Sequence, residues 1–109
     1  TKIVAGQTGG QYAACVSNNA AVDLVDMENQ VSIGRLSLGE EAFSALWRSE
    51  KELILGTQKG AIEVWNVPEM KRIGTWQVHS RPILRIRERP GDGKQVFSVS
   101  SEGVRKTSL

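Results

Sequence analysis

Apolar and polar residues alternate along this chain in short segments separated by turn-forming residues, with no sustained 3.6-residue apolar stripe carrying a cap, so strands are predicted throughout and no substantial helix. The clearest stretch is Leu53 to His79, LILGTQKGAIEVWNVPEMKRIGTWQVH. It reads as a strand to Thr57, a tight turn at Lys59-Gly60, a second strand Ala61 to Asn66, a loop Val67 to Met70 and a third strand Lys71 to Val78. Ahead of it, Ala42 to Arg48 forms one more strand, closed by a turn at Ser49-Glu50-Lys51. The same series occupies the start of the chain. Lys2 to Ala5, Tyr12 to Ser17, Ala21 to Met27 and Val31 to Leu38 read as strands, broken by a loop at Gln7 to Gly10, a turn at Asn18-Asn19 and a polar link at Glu28 to Gln30. A third series runs through strands Ile83 to Glu88, Gln95 to Ser100 and Val104 to Ser108, with turns at Pro90 to Gly93 and Glu102-Gly103.

The spacing of these series is regular. Val25-Asp26 precedes Trp65-Asn66 by 40 residues, Trp65-Asn66 precedes Thr107-Ser108 by 42, and Gly39 and His79 stand in matching loops 40 apart. Asn19, Gly60 and Gly103 each lie just ahead of the third strand of their cycle. A fixed period of this length is the mark of a repeat architecture.

A four-strand cycle of about 40 to 45 residues, with Gly-His in one loop and Trp-Asp closing the third strand, resembles the Trp-Asp (WD) repeat β-propellers. The resemblance covers nearly the whole chain and rests on IEVWN, where Trp65-Asn66 stands for Trp-Asp, on Val78-His79 for Gly-His, and on QVFSVSSEGVR for the second strand, acidic turn and third-strand start. The outer cycles depart from it, with Val25-Asp26 and Thr107-Ser108 in place of Trp-Asp, and Gly39-Glu40 replaces Gly-His in the middle one. The fold this implies is all-β: a propeller segment of four-stranded antiparallel blades, an incomplete ring divided into blades at residues 1–39, 40–79 and 80–109, the last lacking its outer strand. The resemblance also implies a network that locks each blade, here His79, Ser98 or Ser100, and Glu102 in the third blade, and Thr57 with Trp65 in the second. Thr107 stands where that network has Trp. An unclosed arc leaves blade faces and strand edges open, so the ring is expected to be completed by the rest of a longer chain or by other copies.

Composition adds limits. With 39% hydrophobic and 24% charged residues and 11 glycines, the chain reads as globular, and it holds no apolar run long enough to cross a bilayer, so no membrane insertion is expected. The N-terminal TKIVAGQTGGQ has no charged region followed by a long apolar one, so no secretory signal is expected. The single Cys15 cannot form an internal disulfide, which fits an intracellular setting, cytoplasmic or nuclear. It stands in the apolar run YAACVS and is expected to be a buried, unreactive thiol. The net charge of +2 conceals an asymmetry: residues 1–70 carry five Lys/Arg and nine Asp/Glu, net −4, and residues 71–109 carry nine and three, net +6.

No catalytic, cofactor or metal site is predicted. One His and one Cys cannot supply a metal cluster at ordinary ligand counts. Nothing resembles a nucleophile elbow, and GQTGG lacks the Lys-Ser/Thr of a phosphate-binding loop. Glu40-Glu41 and the Asp23/Asp26 pair read as solvated surface charge. Trp47, Trp65 and Trp76 would suit stacking of bases or a peptide, but core packing between blades is the preferred reading. The feature that resists dismissal is PILRIRER. Arg85, Arg87 and Arg89 share one face of a strand, with Leu84, Ile86 and Glu88 on the other, and Arg81 lies just ahead. These arginines either form a surface for RNA, phospholipid or an acidic protein segment, or pack between blades and pair with acids of the neighbouring one; the second reading is preferred. No paired-arginine-glycine motif of the lipid-binding propellers is present. The expected function is a noncatalytic scaffold for other proteins in a multiprotein complex, as the resemblance implies, with contact to RNA or ribonucleoprotein through Arg81 to Arg89 as the alternative.

Overall fold

The computed structural model describes residues 3–6, 10–17, 20–67, 69–89 and 94–109. Eleven strands and no helix occupy them. The loop expected at residues 7–10, the turns at Asn18-Asn19 and at Pro90 to Gly93, and the start of the first strand at Lys2 lie wholly or partly outside the described residues.

The strands form three antiparallel sheets, each a meander in which neighbours in sequence are neighbours in space. The first holds β1 (Ile3–Gly6), β2 (Tyr12–Val16), β3 (Ala21–Asp26) and β4 (Val31–Ser37). The second holds β5 (Ala42–Trp47), β6 (Glu52–Thr57), β7 (Ala61–Asn66) and β8 (Lys71–Gln77). The third holds β9 (Arg85–Glu88), β10 (Gln95–Ser100) and β11 (Gly103–Ser108), with β11 at its edge. None closes on itself into a barrel.

Local chemistry repeats from sheet to sheet. The side chain ending the third strand caps the following turn: Asp26 accepts the Glu28 and Asn29 backbone N–H groups at 3.0 and 3.1 Å, and Asn66 accepts the Glu69 N–H at 3.1 Å. The residue just before the fourth strand is left-handed in both cases, Gln30 at φ 56° and Met70 at φ 54°. The residue after the third strand is tied back to the base of the second in all three sheets, Met27 to Gln11, Val67 to Lys51 and Leu109 to Lys94, each N–H to C=O at 2.8 Å. A register shift recurs where the third strand meets the fourth, at Leu24/Val25 and at Val64/Trp65. Such bulges sharpen twist toward the sheet edge.

Two apolar layers glue the sheets together. Ala14, Val16, Val22, Leu24 and Leu36 of the first sheet meet Ala42, Leu53, Leu55 and Val67, with Trp47 and Trp65 packed alongside. The opposite face of the second sheet, Ile54, Ile62 and Val64 with Trp76, meets Ile83, Ile86 and Val96. All three tryptophans thus pack between sheets, and Trp47 also donates its indole N–H to the Ala5 carbonyl of β1 at 2.8 Å. At roughly 1.5–3 kcal/mol per fully buried aliphatic side chain, these layers dominate the stability of the stack. The sheets approach one another most closely through their first two strands: β1 and β2 against β5, then β5 and β6 against β9.

Three local expectations need correction. The strand expected from Ile83 begins only at Arg85, because the Ile83 N–H is drawn to the Thr57 carbonyl of the second sheet at 3.1 Å and its side chain fills the second apolar layer. Leu84 therefore lies outside the strand and is 56% exposed rather than sharing a packed face with Ile86. Cys15 is half-buried, not buried, since it pairs in register with Asp23 on the side of the first sheet that faces away from the second.

Gly60 holds the tightest backbone approach. It adopts φ 86°, and a Cβ there would run into the His79 carbonyl, whereas a Cβ at Gly39 would meet nothing within 4 Å. Gly60→Ala is therefore expected to destabilise the fold by about 2–3 kcal/mol and Gly39→Ala by less than about 0.5 kcal/mol, as read from urea unfolding midpoints. Equal effects at the two positions would contradict the close approach.

Candidate functional site

Between β8 and β9 the chain crosses from the second sheet to the third as a strap, residues 78–84, and most of the sequence-predicted site residues gather around it. The Val78 and His79 N–H groups both donate to the Gly60 carbonyl, at 3.1 and 2.9 Å, and the Gln77 amide donates to the His79 carbonyl at 2.6 Å. On the third-sheet side the Leu84 N–H donates to the Val99 carbonyl at 2.8 Å, and Ser44 of β5 donates its hydroxyl to the Ile83 carbonyl at 2.8 Å. The strap is thus sewn to both sheets by backbone bonds.

The His79 imidazole completes the seam. Its side chain is fully buried, with Nε2 2.8 Å from Ser98 Oγ and Nδ1 3.0 Å from Ser100 Oγ. The surrounding bonds assign the protons. Ser98 donates to the Arg105 carbonyl at 3.4 Å, so its oxygen is left to accept from Nε2–H; Ser100 accepts the Glu102 N–H at 3.0 Å and turns its own proton toward Nδ1. The tautomer with its proton on Nε2 satisfies both serines. Glu102 sits beside it, 3.9 Å from Nδ1, but is committed to Ser80, accepting the Ser80 N–H at 2.8 Å and its hydroxyl at 2.5 Å. Those Ser80 bonds hold the Glu102 carboxyl below its ordinary range. Among the described residues every buried polar side-chain atom has a hydrogen-bond partner.

His79, Ser98, Ser100 and Glu102 are therefore brought into one cluster. Thr57 and Trp65 are not part of it. Thr57, fully buried, accepts the Ala61 N–H at 3.0 Å and holds the β6–β7 turn on which the strap rests. Trp65 donates to Glu63 at 2.9 Å, and Glu63 in turn faces Arg72 at 3.6 Å. The cluster seals a seam between sheets. Among the described residues, no group of three His, Cys, Asp or Glu is placed to hold a metal ion.

Arg85 and Arg87 lie on the side of the third sheet that faces away from the second, and Arg81 lies in the strap beside the Gly60 turn. Arg81, Arg85, Arg87 and Arg89 are all exposed. The preferred expectation, that they pair with acids of the neighbouring unit, does not describe Arg81, Arg85 or Arg87: among the described residues none of the three has a carboxylate partner, and Arg87 reaches only the Ile86 carbonyl at 3.4 Å. The reason is register. Ile86 takes the side of β9 that faces the second sheet, which leaves Arg85 and Arg87 on the other. Arg89 donates to the Gln95 side chain at 2.7 Å, in the place where Arg48 meets Glu52 in the second sheet.

Sequence reasoning missed three contributors. Ser80, Ser44 and the Gly60 carbonyl anchor the strap, yet a lone Ser or a backbone carbonyl carries no motif; only the tight-turn signal of Lys59-Gly60 pointed to that turn. No protein-family model matches this chain, and no curated protein resembles it significantly in sequence.

Two measurements test the cluster. Ser98→Ala leaves the buried Nε2–H without an acceptor and is expected to cost about 1–3 kcal/mol in urea unfolding. The folded-state pKa of Glu102 lies below its unfolded value, so the stability it contributes is present above pH 4.5 and lost as pH falls through the folded value. Glu102→Gln is therefore expected to flatten the acid limb of the stability profile below about pH 4.5, and an unchanged limb would contradict the Ser80 assignment.

Proposed function

We propose that this chain is an arc of a Trp-Asp-repeat-like β-propeller and serves as a noncatalytic scaffold for protein partners. The observation that carries the reading is the recurrence of one unit at residue level: the same tie from the residue after the third strand to the base of the second, at 2.8 Å in all three sheets, together with the approach of successive sheets through their first two strands. Sheets arranged in this way fan out from a common side, as blades do around an axis. The cluster of His79, Ser98, Ser100 and Glu102 supports the same reading, since it joins a loop histidine, second-strand hydroxyls and a turn acid across a seam. The noncatalytic part rests on the state of the histidine. Buried, with both ring nitrogens occupied by serine hydroxyls, it meets no substrate. A second reading, contact with RNA, is favoured by one specific observation: Arg81, Arg85 and Arg87 are exposed cations without carboxylate partners among the described residues.

Affinity capture with the tagged chain, with and without nuclease treatment, separates the two. The scaffold reading expects a defined set of proteins retained after nuclease. Loss of all partners on nuclease treatment, combined with binding of a fluorescein-labelled oligo(U) 12-mer whose salt slope falls on Arg85→Ala and Arg87→Ala, would replace it with the RNA reading. Turnover abolished by His79→Gln would overturn the noncatalytic assignment.

A further inference from the structure

Where the bases of the first two sheets meet, the chain builds a small apolar cavity at the end opposite to the strap. Tyr12, Ile33, Val67 and Met70 line a volume of about 210 Å³. Its walls belong to the sides by which these two sheets already pack. Tyr12 stands in line with Ala14 and Val16 on β2, and Val67 lies in the same apolar layer. Tyr12, Asp26 and Val31 form one row across the first sheet, and Val31 (51% exposed) and Ile33 (37%) carry the apolar surface out to solvent.

A local feature holds each wall. The register shift at Leu24/Val25 makes Ile33 an extra residue on β4 and sets it at the mouth of the cavity. Met70 reaches the cavity from a left-handed backbone at φ 54°, and its thioether lies against Gly34, where a Cβ would stand 2.7 Å from the Met70 methyl carbon. Such a backbone persists at a residue other than glycine only where its surroundings hold it. Here the Met70 N–H donates to the Val67 carbonyl at 3.2 Å, and the side chain packs on the first apolar layer.

Size and charge identify the occupant. Sites for drug-sized ligands hold about 300–1,000 Å³, whereas a dry cavity of about 150 Å³ takes benzene, so this one is matched to a single ring-bearing side chain. A thioether on one wall and a phenol ring on another favour an aromatic group over an aliphatic one. The turns that frame the cavity, residues 26–30 and 66–70, carry Asp26, Glu28 and Glu69 and no Lys or Arg. Glu28 and Glu69 are exposed and have no cationic partner among the described residues, and the Asn29 side-chain bond holds the Asp26 carboxyl below its ordinary range. The cations nearby do not cancel these acids. Lys71 pairs with Asn66 on the other side of the second sheet, Arg72 is drawn to Glu63 at 3.6 Å, and Lys51 shares its turn with Glu50. An apolar hole rimmed by acid suits an aromatic side chain with cations beside it.

We propose that the cavity between Tyr12, Ile33, Val67 and Met70 receives one phenylalanine side chain from a protein partner, in a segment where Lys or Arg flanks that residue and meets Glu28 and Glu69. The ring enters past Ile33 and lies between Tyr12 and the Met70 thioether, which fits it by rotating about its flexible side-chain bonds. This inference rests on the scaffold reading only in taking the occupant from a protein; the cavity and its acidic rim are properties of the first two sheets.

Methionine methyl NMR tests it, because the chain has two methionines and Met27 does not line the cavity. The methyl-labelled chain is titrated with the peptide acetyl-Gly-Lys-Phe-Lys-Gly-amide. The Met70 methyl signal is expected to move upfield and saturate, as a ring settles over it, while the Met27 signal stays in place. Peptides with Ala for Phe, or with Glu for both Lys, are each expected to bind at least about tenfold more weakly. Glu28→Lys with Glu69→Lys is expected to weaken the lysine-flanked peptide about tenfold with unchanged circular dichroism, and Gly34→Ala, which drives Met70 into the cavity, to abolish the shift. Should a variant fail to fold, the comparison of peptides on the wild-type chain still decides. A Met70 signal that ignores the peptide, an equal response to the glutamate-flanked peptide, or an unfolded wild-type chain overturns the proposal. So does a Met70 signal that moves when the chain alone is concentrated, which assigns the cavity to a second copy, or one that responds equally to benzyl alcohol, which assigns it to a small apolar ligand. In a folded chain each of these failures leaves the scaffold reading standing, since affinity capture decides that separately.

Discussion

The strap between β8 and β9 is the constraint on which the relation of the second and third sheets depends. Backbone bonds from Val78, His79 and Ile83 run to the β6–β7 turn, and the bond from Leu84 and the imidazole of His79 run to β10. Ile83 then fills the apolar layer between the sheets at full burial. A buried polar network is worth having only when every member is satisfied. Here the two serine hydroxyls serve both ring nitrogens of the buried imidazole, which makes the seam specific.

The requirement for close approach explains the small residues nearby. A side chain at Gly56 would collide with Ser44 and Ile83, and one at Gly60 with the His79 carbonyl. The glycine at the β6–β7 turn is therefore doubly determined, by its left-handed backbone and by the strap lying over it. The first and second sheets are joined differently, through a larger apolar layer and an indole bond from Trp47 to Ala5. Two seams of one architecture thus use different chemistry, polar at the strap and apolar with an indole anchor elsewhere.

The faces between sheets are apolar and spent on cohesion. On the third sheet, Arg85 and Arg87 are exposed on the side that faces away from the second sheet. Charge asymmetry along the chain, negative in the first 70 residues and positive after them, gathers cations on the third sheet and the strap that leads to it. Electrostatics of this kind governs choice of partner and rate of encounter more than the fold itself.

Much of the architecture was legible along the chain because a strand writes its pattern locally: period-two alternation, turn residues and a repeat near 40 residues placed all eleven strands to within a residue or two. The exceptions, Leu84 and the late start of β9, arise where a long-range bond from Ile83 to Thr57 overrides local alternation. Of the cluster, His79, Ser98 or Ser100, and Glu102 were expected only through the resemblance to the Trp-Asp repeats, whereas Ser80, Ser44 and the Gly60 carbonyl were not expected at all, since their roles exist only once two sheets meet. The alternation of PILRIRER determined that Arg85 and Arg87 share a face. Whether that face is covered was decided by the tertiary structure, because the side of β9 that turns inward depends on where Ile83 and Ile86 find apolar surface to bury against.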